Sequence, residues 1–172
     1  MKSEAFSATM INSLASRTKT YLASQAGIDV TEARLVTGKR DRLELQQSTA
    51  IIGVGGSIGL LIAFSFPQGI VDILYDRLTA NIAVPAGDEA LYRRASVTET
   101  ANIIVGNCTA DFSINGERIA ISPPILLEET KYIHRMKNAT FDSISMVTAY
   151  GCFDINLVGP RDMFDAHLNC LQ

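Results

Sequence analysis

The stretch Glu99-Thr100-Ala101-Asn102-Ile103-Ile104-Val105-Gly106-Asn107 lies near the middle of the chain and has the spacing of an amphipathic helix. At about 100° per residue, its apolar side chains gather on the one face that a helix buries. The opposite face carries polar and small residues, namely Glu99, Asn102, Gly106, Ala95 and Thr109. The apolar face fixes how the helix is buried. The stretch therefore predicts one carboxylate and one carboxamide that point to solvent.

Small residues lie beside these polar groups, where an ordinary surface helix carries Lys, Glu or Gln. Gly106 stands in mid-helix, where a glycine costs about 1 kcal/mol relative to alanine. Close approach of a partner molecule is one reason to keep a glycine there. Glu and Asn are also common on solvated helix faces. The pattern alone is therefore compatible with a binding site and with an ordinary surface.

The composition limits the class of protein. The chain has 172 residues, of which 47% are apolar and 19% charged, as expected for one compact domain over residues 1–172. A net charge of −3 provides no basic surface for nucleic acid. The uncharged stretch Ala50–Phe66 is interrupted by glycines and is short of the roughly 20 residues of a membrane helix. It predicts two buried strands joined at Gly55-Gly56, and no membrane association.

Cysteine and histidine usage argues against a metal site. Cys108, Cys152 and Cys170 have no C-x-x-C spacing, and His134 and His167 are each isolated. We therefore expect neither a disulfide framework nor a bound metal. Free thiols and the lack of a recognisable signal peptide favour the cytoplasm.

The order of elements predicts the fold class. Helical spacing predicts a long first helix over 4–25, stopped at Gly27, and the central helix over 88–110. Strands are predicted at 43–46, 48–55, 57–66 and 118–127, and as two runs within 141–158. Runs of strands joined by hairpins indicate an α+β fold, an antiparallel sheet with two long helices packed on it.

The remaining segments are predicted to connect or close these elements. A short helix is predicted at 70–78 and a closing helix at 163–171, with polar connectors at 28–40 and 128–137. Asn115-Gly116 and Tyr150-Gly151 are hairpin turn signals, and Pro123-Pro124 interrupts the strand around it.

The spacing E-x-x-N-x-x-x-G on a long helix resembles the signature of the CheC/CheX/FliY chemotaxis phosphatases, and its wording here is closest to CheX. The segment 119–127, with its two prolines, resembles the strand-and-proline segment that follows the site helix in that family. The resemblance implies a CheC-like fold, a cytoplasmic protein and a homodimer formed through the sheets. A second copy of the motif is missing from the first helix, where Asn12 is preceded by Thr9 instead of a glutamate. CheX-like members carry one copy.

The resemblance also implies an activity, hydrolysis of the aspartyl phosphate on a CheY-like response regulator. In that activity Asn102 would position the attacking water, and Glu99 would pair with a lysine of the partner. Ala95 and Gly106 would let the two backbones come close. The response regulator supplies its own Mg²⁺, so no cofactor or metal of this chain is expected.

Two other interpretations remain open from the residues. The first is a non-catalytic docking module that binds a response regulator or a motility component. It is favoured by Arg94 and Ala95, which occupy the turn where family members often carry an acidic residue or serine. The second is an unrelated α+β domain in which Glu99 and Asn102 are ordinary surface residues.

Overall fold

The computed structural model describes residues 2–36, 40–55, 59–112, 119–129, 132–135 and 139–160. Several predictions from the sequence fall elsewhere. The turns at Gly55-Gly56 and Asn115-Gly116 lie at least partly outside the described residues, and the closing helix at 163–171 lies wholly outside them.

The first helix, α1 (Lys2–Tyr21), continues into a π-helical turn over Leu22–Ala26. It ends at Gly27, whose φ of 65° is a left-handed conformation that a glycine adopts without a steric penalty. The Gly27 N–H donates to the Leu22 carbonyl and satisfies one of the last carbonyls of the helix. The first helix therefore ends at Gly27, as the sequence predicts.

Seven strands of the described residues form an antiparallel sheet. Their bounds are β1 Val30–Val36, β3 Ser48–Gly55, β4 Leu60–Phe66, β5 Ala120–Ile121, β6 Ile125–Glu128, β8 Ala139–Thr148 and β9 Gly151–Pro160. Their order in the sheet is β1-β8-β9-β4-β3, with β5 and β6 both paired to β3 at the far edge. A separate ribbon pairs β2 (Arg42–Glu44) with β7 (Tyr132–His134). The α+β fold with an antiparallel sheet is confirmed.

The two faces of the sheet differ in chemistry. Alternate residues of the central strands point toward the helices and form the core, among them Ile52, Ile62, Phe64, Phe153, Ile155 and Leu157. The other face carries hydroxyl and amide groups, with Ser143 Oγ donating to Asn156 Oδ1 at 2.7 Å. The segment after β2 is tied to this face by the Gln46 N–H, which donates to Ser65 Oγ at 2.6 Å. The β2–β7 ribbon therefore lies on the side of the sheet opposite the helices.

Two predicted connectors are wrong. Residues 28–40 contain β1, and residues 128–137 contain β7. Most of β1 is exposed on both of its faces because it is an edge strand, so its sequence lacks the alternation of a half-buried strand. Its extended conformation comes from pairing with β8, a contact distant in sequence.

The remaining helices are α2 (Gln68–Thr79) and α3 (Glu89–Phe112). The apolar face of α3 is fully packed against the core by Val97, Ala101, Ile104, Val105 and Cys108, each at most 1% exposed. Each buried aliphatic side chain contributes roughly 1.5–3 kcal/mol, so the rotation of α3 about its axis is strongly fixed. No helix in the described part of the chain is long and apolar enough to cross a membrane.

Candidate functional site

The site helix α3 presents the predicted polar face to solvent. Glu99 and Ala95 are exposed, and Asn102 and Gly106 are partly exposed. All four lie away from the buried stripe because they stand on the other side of a helix with 3.6 residues per turn. The packing of α3 thus brings the four predicted residues together on one surface.

Glu99 and Asn102 have hydrogen-bonding capacity to spare. Neither side chain forms a hydrogen bond or an ion pair with another residue in the described ranges. An amide can donate two hydrogen bonds and accept two, and a carboxylate only accepts. The surface therefore offers an adaptable donor–acceptor group one helical turn from a negative charge.

Gly106 makes no close packing contact with the other described elements. A Cβ atom built on it would meet no atom of these elements within 4 Å, apart from its own helix. Within the described part of the chain, a larger residue would therefore fit here without a clash. Close approach of another molecule is consistent with a glycine whose helix cost is about 1 kcal/mol.

A neighbour that the sequence analysis missed is Tyr21 of α1, which is 7% exposed. Burial raises the pKa of the Tyr21 phenol, the Thr100 hydroxyl partly offsets the rise, and the Glu99 carboxylate adds to it. Tyr21 thus lies close enough to feel the charge of Glu99. Sequence spacing places Tyr21 only on the apolar stripe of α1, because nothing local shows that α1 and α3 are neighbours.

The C-terminal half of α3 is held to α1 by polar contacts. Ser13 Oγ donates to Asp111 Oδ2 at 2.6 Å, and Arg17 Nε donates to the same oxygen at 3.1 Å. The Ser13 hydrogen bond and the Arg17 guanidinium both lower the pKa of the Asp111 carboxyl. These contacts and the apolar core fix α3 on the sheet, so its exposed face is rigid.

The turn before Glu99 contains two arginines with different surroundings. Arg93 pairs with Asp72 of α2, and its guanidinium lies 4.5 Å from the centre of the Tyr75 ring. Arg94 Nε lies 2.7 Å from Glu128 Oε2 on β6. Ser96 is buried and donates to the Tyr92 carbonyl at 2.8 Å, so its hydroxyl does not support Glu99.

No metal site accompanies these residues. Within the described ranges, no three His, Cys, Asp or Glu side chains are grouped so that they could hold a metal ion. The chemistry available on this face is therefore hydrogen bonding and charge.

Comparison with known proteins agrees with this fold and this helix. The family model described as "Chemotaxis phosphatase CheX" matches residues 48–146, which include all of α3. This match covers more than half of the chain, and the chain belongs to the CheX family of chemotaxis phosphatases. The unrelated α+β domain is thereby excluded. A search of curated protein sequences finds no match.

Solved structures share the fold at low sequence identity. A chemotaxis protein CheX from Desulfovibrio desulfuricans superposes with a TM-score of 0.73 at 17% identity, covering 86% of this chain and 97% of that one. CheX of Borrelia burgdorferi, solved as a complex with CheY, BeF₃ and Mg²⁺, gives a TM-score of 0.64 at 16% identity, covering 88% and 97%. FliY of Thermotoga maritima gives 0.58 at 16% identity, covering 91% and 88%. The predicted CheC-like fold is confirmed.

Proposed function

We propose that this protein hydrolyses the aspartyl phosphate of a CheY-like response regulator, with Asn102 positioning the attacking water. The observation that carries the proposal is the pair of exposed Glu99 and partly exposed Asn102, on a helix whose other face is packed in the core, without intramolecular hydrogen-bond partners among the described residues. Membership of the CheX family and the Borrelia complex with CheY support the same partner class. A response regulator partner implies that the protein acts in the cytoplasm.

The protein itself contributes little covalent chemistry to the reaction. A water oxygen forms a bond to phosphorus while the bond from phosphorus to the aspartyl oxygen breaks, which yields inorganic phosphate and the free carboxylate. The response regulator supplies Mg²⁺, which offsets the charge on the phosphoryl oxygens. The Asn102 amide can accept a hydrogen bond from the water and donate another to the phosphoryl group. It lowers the barrier by orienting the water in line with the leaving oxygen.

Glu99 serves to hold the two proteins in register. Its carboxylate can form a charge-assisted hydrogen bond with a lysine ammonium at the phosphorylation cleft, stronger than a bond between neutral groups. Ala95 and Gly106 flank the pair with little or no side chain. The backbone of α3 can therefore come close to the partner at both ends of the motif.

We also infer that the protein is a homodimer paired through the edge strand β1. The sheet has two edges, and the one formed by β5 and β6 is interrupted at Pro123-Pro124, where no backbone N–H is available. At the β1 edge, Leu35 and Val36 are 49% and 38% exposed. Among the described residues no strand pairs with this side of β1, and an edge with exposed apolar side chains favours pairing with another strand.

The charges on β1 select one register of this pairing. Glu32 and Arg34 lie on the same face of the strand, with Arg34 Nη2 donating to Glu32 Oε2 at 2.9 Å. In a symmetric antiparallel pair centred on Ala33, Glu32 of each protomer lies opposite Arg34 of its partner. A register centred on Arg34 instead would place two arginines opposite each other.

The direct test is release of phosphate from purified response-regulator receiver domains phosphorylated with acetyl phosphate and Mg²⁺. We expect Asn102→Ala to lose at least about a hundredfold in turnover, since the water is no longer oriented, with an unchanged melting temperature. Glu99→Ala should raise KM as well as lower kcat. Asn107→Ala is the matched control, because Asn107 is an exposed carboxamide on the same helix, about 140° around the axis from Asn102.

Two outcomes would contradict the mechanism. Full turnover by Asn102→Ala would show that its amide does not position the water. A wild-type protein that binds phosphorylated receiver domains without accelerating their hydrolysis would be the docking module instead.

A further inference from the structure

We propose that Arg94 is a specificity residue at the rim of the docking face, where it contacts a carboxylate beside the phosphorylation cleft of the response regulator. This inference rests on the proposed function and names the chemistry by which the partner is selected. The occupant is a receiver domain with an acidic side chain at the border of its cleft.

The position of Arg94 on α3 suits such a contact. Arg94, Thr98 and Asn102 stand four residues apart, so they follow one another along a single ridge of the helix. At 1.5 Å per residue, the Arg94 backbone lies about 12 Å from that of Asn102 along the axis. Thr98 between them has a short side chain, and its hydroxyl Oγ1 donates a hydrogen bond to the Ala95 carbonyl oxygen at 3.1 Å. A partner that is seated on Asn102 and extends along this ridge therefore meets Arg94, about 80° around the axis from Asn102.

Arg94 is available to exchange its ion-pair partner. Its side chain is 57% exposed and that of Glu128 is 38% exposed, although the two form a contact of 2.7 Å. Exposed ion pairs contribute roughly 0–1 kcal/mol because water screens them. The neighbouring Arg93 is different, since it is tied to Asp72 and lies over Tyr75. Arg94 can therefore change partner at less cost than Arg93, whose side chain is 36% exposed and also packs against an aromatic ring.

Charge explains why a cation is useful at this place. The chain has a net charge of −3, and Glu99 adds a negative group to the docking face. Mg²⁺ binds to carboxylates and phosphate oxygens, so the cleft of a phosphorylated receiver domain is rich in negative groups. A cation at the rim offsets repulsion during approach, and such charges act mainly on the association rate and its salt dependence.

The test compares the two members of the ion pair. We expect Arg94→Gln to raise KM for the phosphorylated receiver domain about threefold with kcat unchanged, which is the size of one exposed charge contact. Arg94→Glu should raise it about tenfold. Both should flatten the dependence of kcat/KM on ionic strength. Glu128→Gln frees Arg94 and should leave KM the same or lower. Arg42→Gln is the matched control, because Arg42 is 59% exposed and paired with Glu44 on the ribbon across the sheet.

The possible outcomes distinguish failure of this inference from failure of the proposed function. If Arg94→Gln and Glu128→Gln raise KM equally and lower the melting temperature together, Arg94 acts only through its ion pair and the inference is overturned. Unchanged KM and salt dependence in Arg94→Gln, with active wild type, also overturn it. A wild-type protein that neither binds nor hydrolyses any phosphorylated receiver domain overturns the proposed function and this inference together.

Discussion

At the scale of single residues, the side chains of α3 include some that are packed inside the protein and some that have no intramolecular partner among the described residues. Cys108 is fully buried in the core, whereas Glu99 and Asn102 keep their hydrogen-bonding groups toward solvent. A buried polar group must be satisfied inside the protein, but an exposed one is satisfied by water until a partner replaces it. Residues of the second kind contribute little to stability, so they can be chosen for binding and catalysis.

The buried thiol leads to a prediction about pH. Burial raises the pKa of Cys108 from 9.0 to about 11. Since this pKa is higher in the folded protein, the thiol's contribution to stability is complete below pH 9 and is lost as the pH rises through about 11. We expect urea unfolding in a Cys152→Ser/Cys170→Ser background to show a loss of stability over this range. The loss should be smaller in the same background with Cys108→Ala.

A second readout uses reaction with a thiol reagent at pH 8. The Cys152 thiol is exposed and should react in the native protein, while Cys108 should react only after unfolding. Rapid labelling of Cys108 in the folded protein would contradict its place in the core.

At the scale of the element, the site helix is stable because of its buried face and not because of its exposed one. The buried stripe of α3 and the contacts of Asp111 with α1 hold the helix in place. Gly106 on the exposed face is unfavourable for the helix itself. The element thus combines a rigid attachment with a surface whose residues lower its intrinsic stability.

Substitution of Gly106 tests this trade between stability and docking. Gly106→Ala should raise the free energy of unfolding by about 1 kcal/mol, since the new Cβ meets no other described element within 4 Å. Gly106→Leu should also be more stable than the wild type. We expect Gly106→Ala to keep most of its phosphatase activity and Gly106→Leu to lose it, because only the larger side chain separates α3 from the partner. Urea unfolding and phosphate release measure the two effects. A fully active Gly106→Leu protein would show that α3 does not approach the partner here.

At the scale of the whole molecule, the sheet holds α3 on its helix-covered face and has β1 at one edge, where the proposed dimer would pair. The other edge is interrupted by Pro123-Pro124, and the polar face is partly covered by the β2–β7 ribbon. Because pairing through β1 would use neither α3 nor the ridge of Arg94, each protomer of the proposed dimer would keep an accessible site.

Charge reversal on β1 tests the dimer and its register. In the pairing centred on Ala33, Glu32→Arg or Arg34→Glu places like charges opposite each other at two symmetric positions. Each should weaken dimerisation by about tenfold. The double variant Glu32→Arg/Arg34→Glu should restore it. Sedimentation equilibrium at micromolar concentrations measures the change. A wild-type protein that sediments as a monomer throughout this range would contradict the dimer, and failure of the double variant to recover would contradict the register.

Local sequence was sufficient for the elements whose signals are periodic or stereochemical. The helices over 4–25 and 88–110, the stop at Gly27 and the break at Pro123-Pro124 all correspond to features of the structure. Local sequence failed for β1 and β7, because a short exposed strand is stabilised by its neighbours and not by its own pattern. The effect of Glu99 on Tyr21 was missed for the same reason, since α1 and α3 pack together but are far apart in the chain.

The sequence by itself determined which side of α3 is buried, and hence that Glu99, Asn102 and Gly106 share one surface. The spacing of apolar residues on a helix is a local property that packing only has to satisfy. The tertiary structure alone decided what surrounds that surface. It placed Glu128 against Arg94, put no other described element within 4 Å of a Cβ at Gly106 and placed β1 at one edge of the described sheet. These features depend on which distant segments pair and pack, and the free energy of such contacts belongs to the whole fold and not to any one stretch of chain.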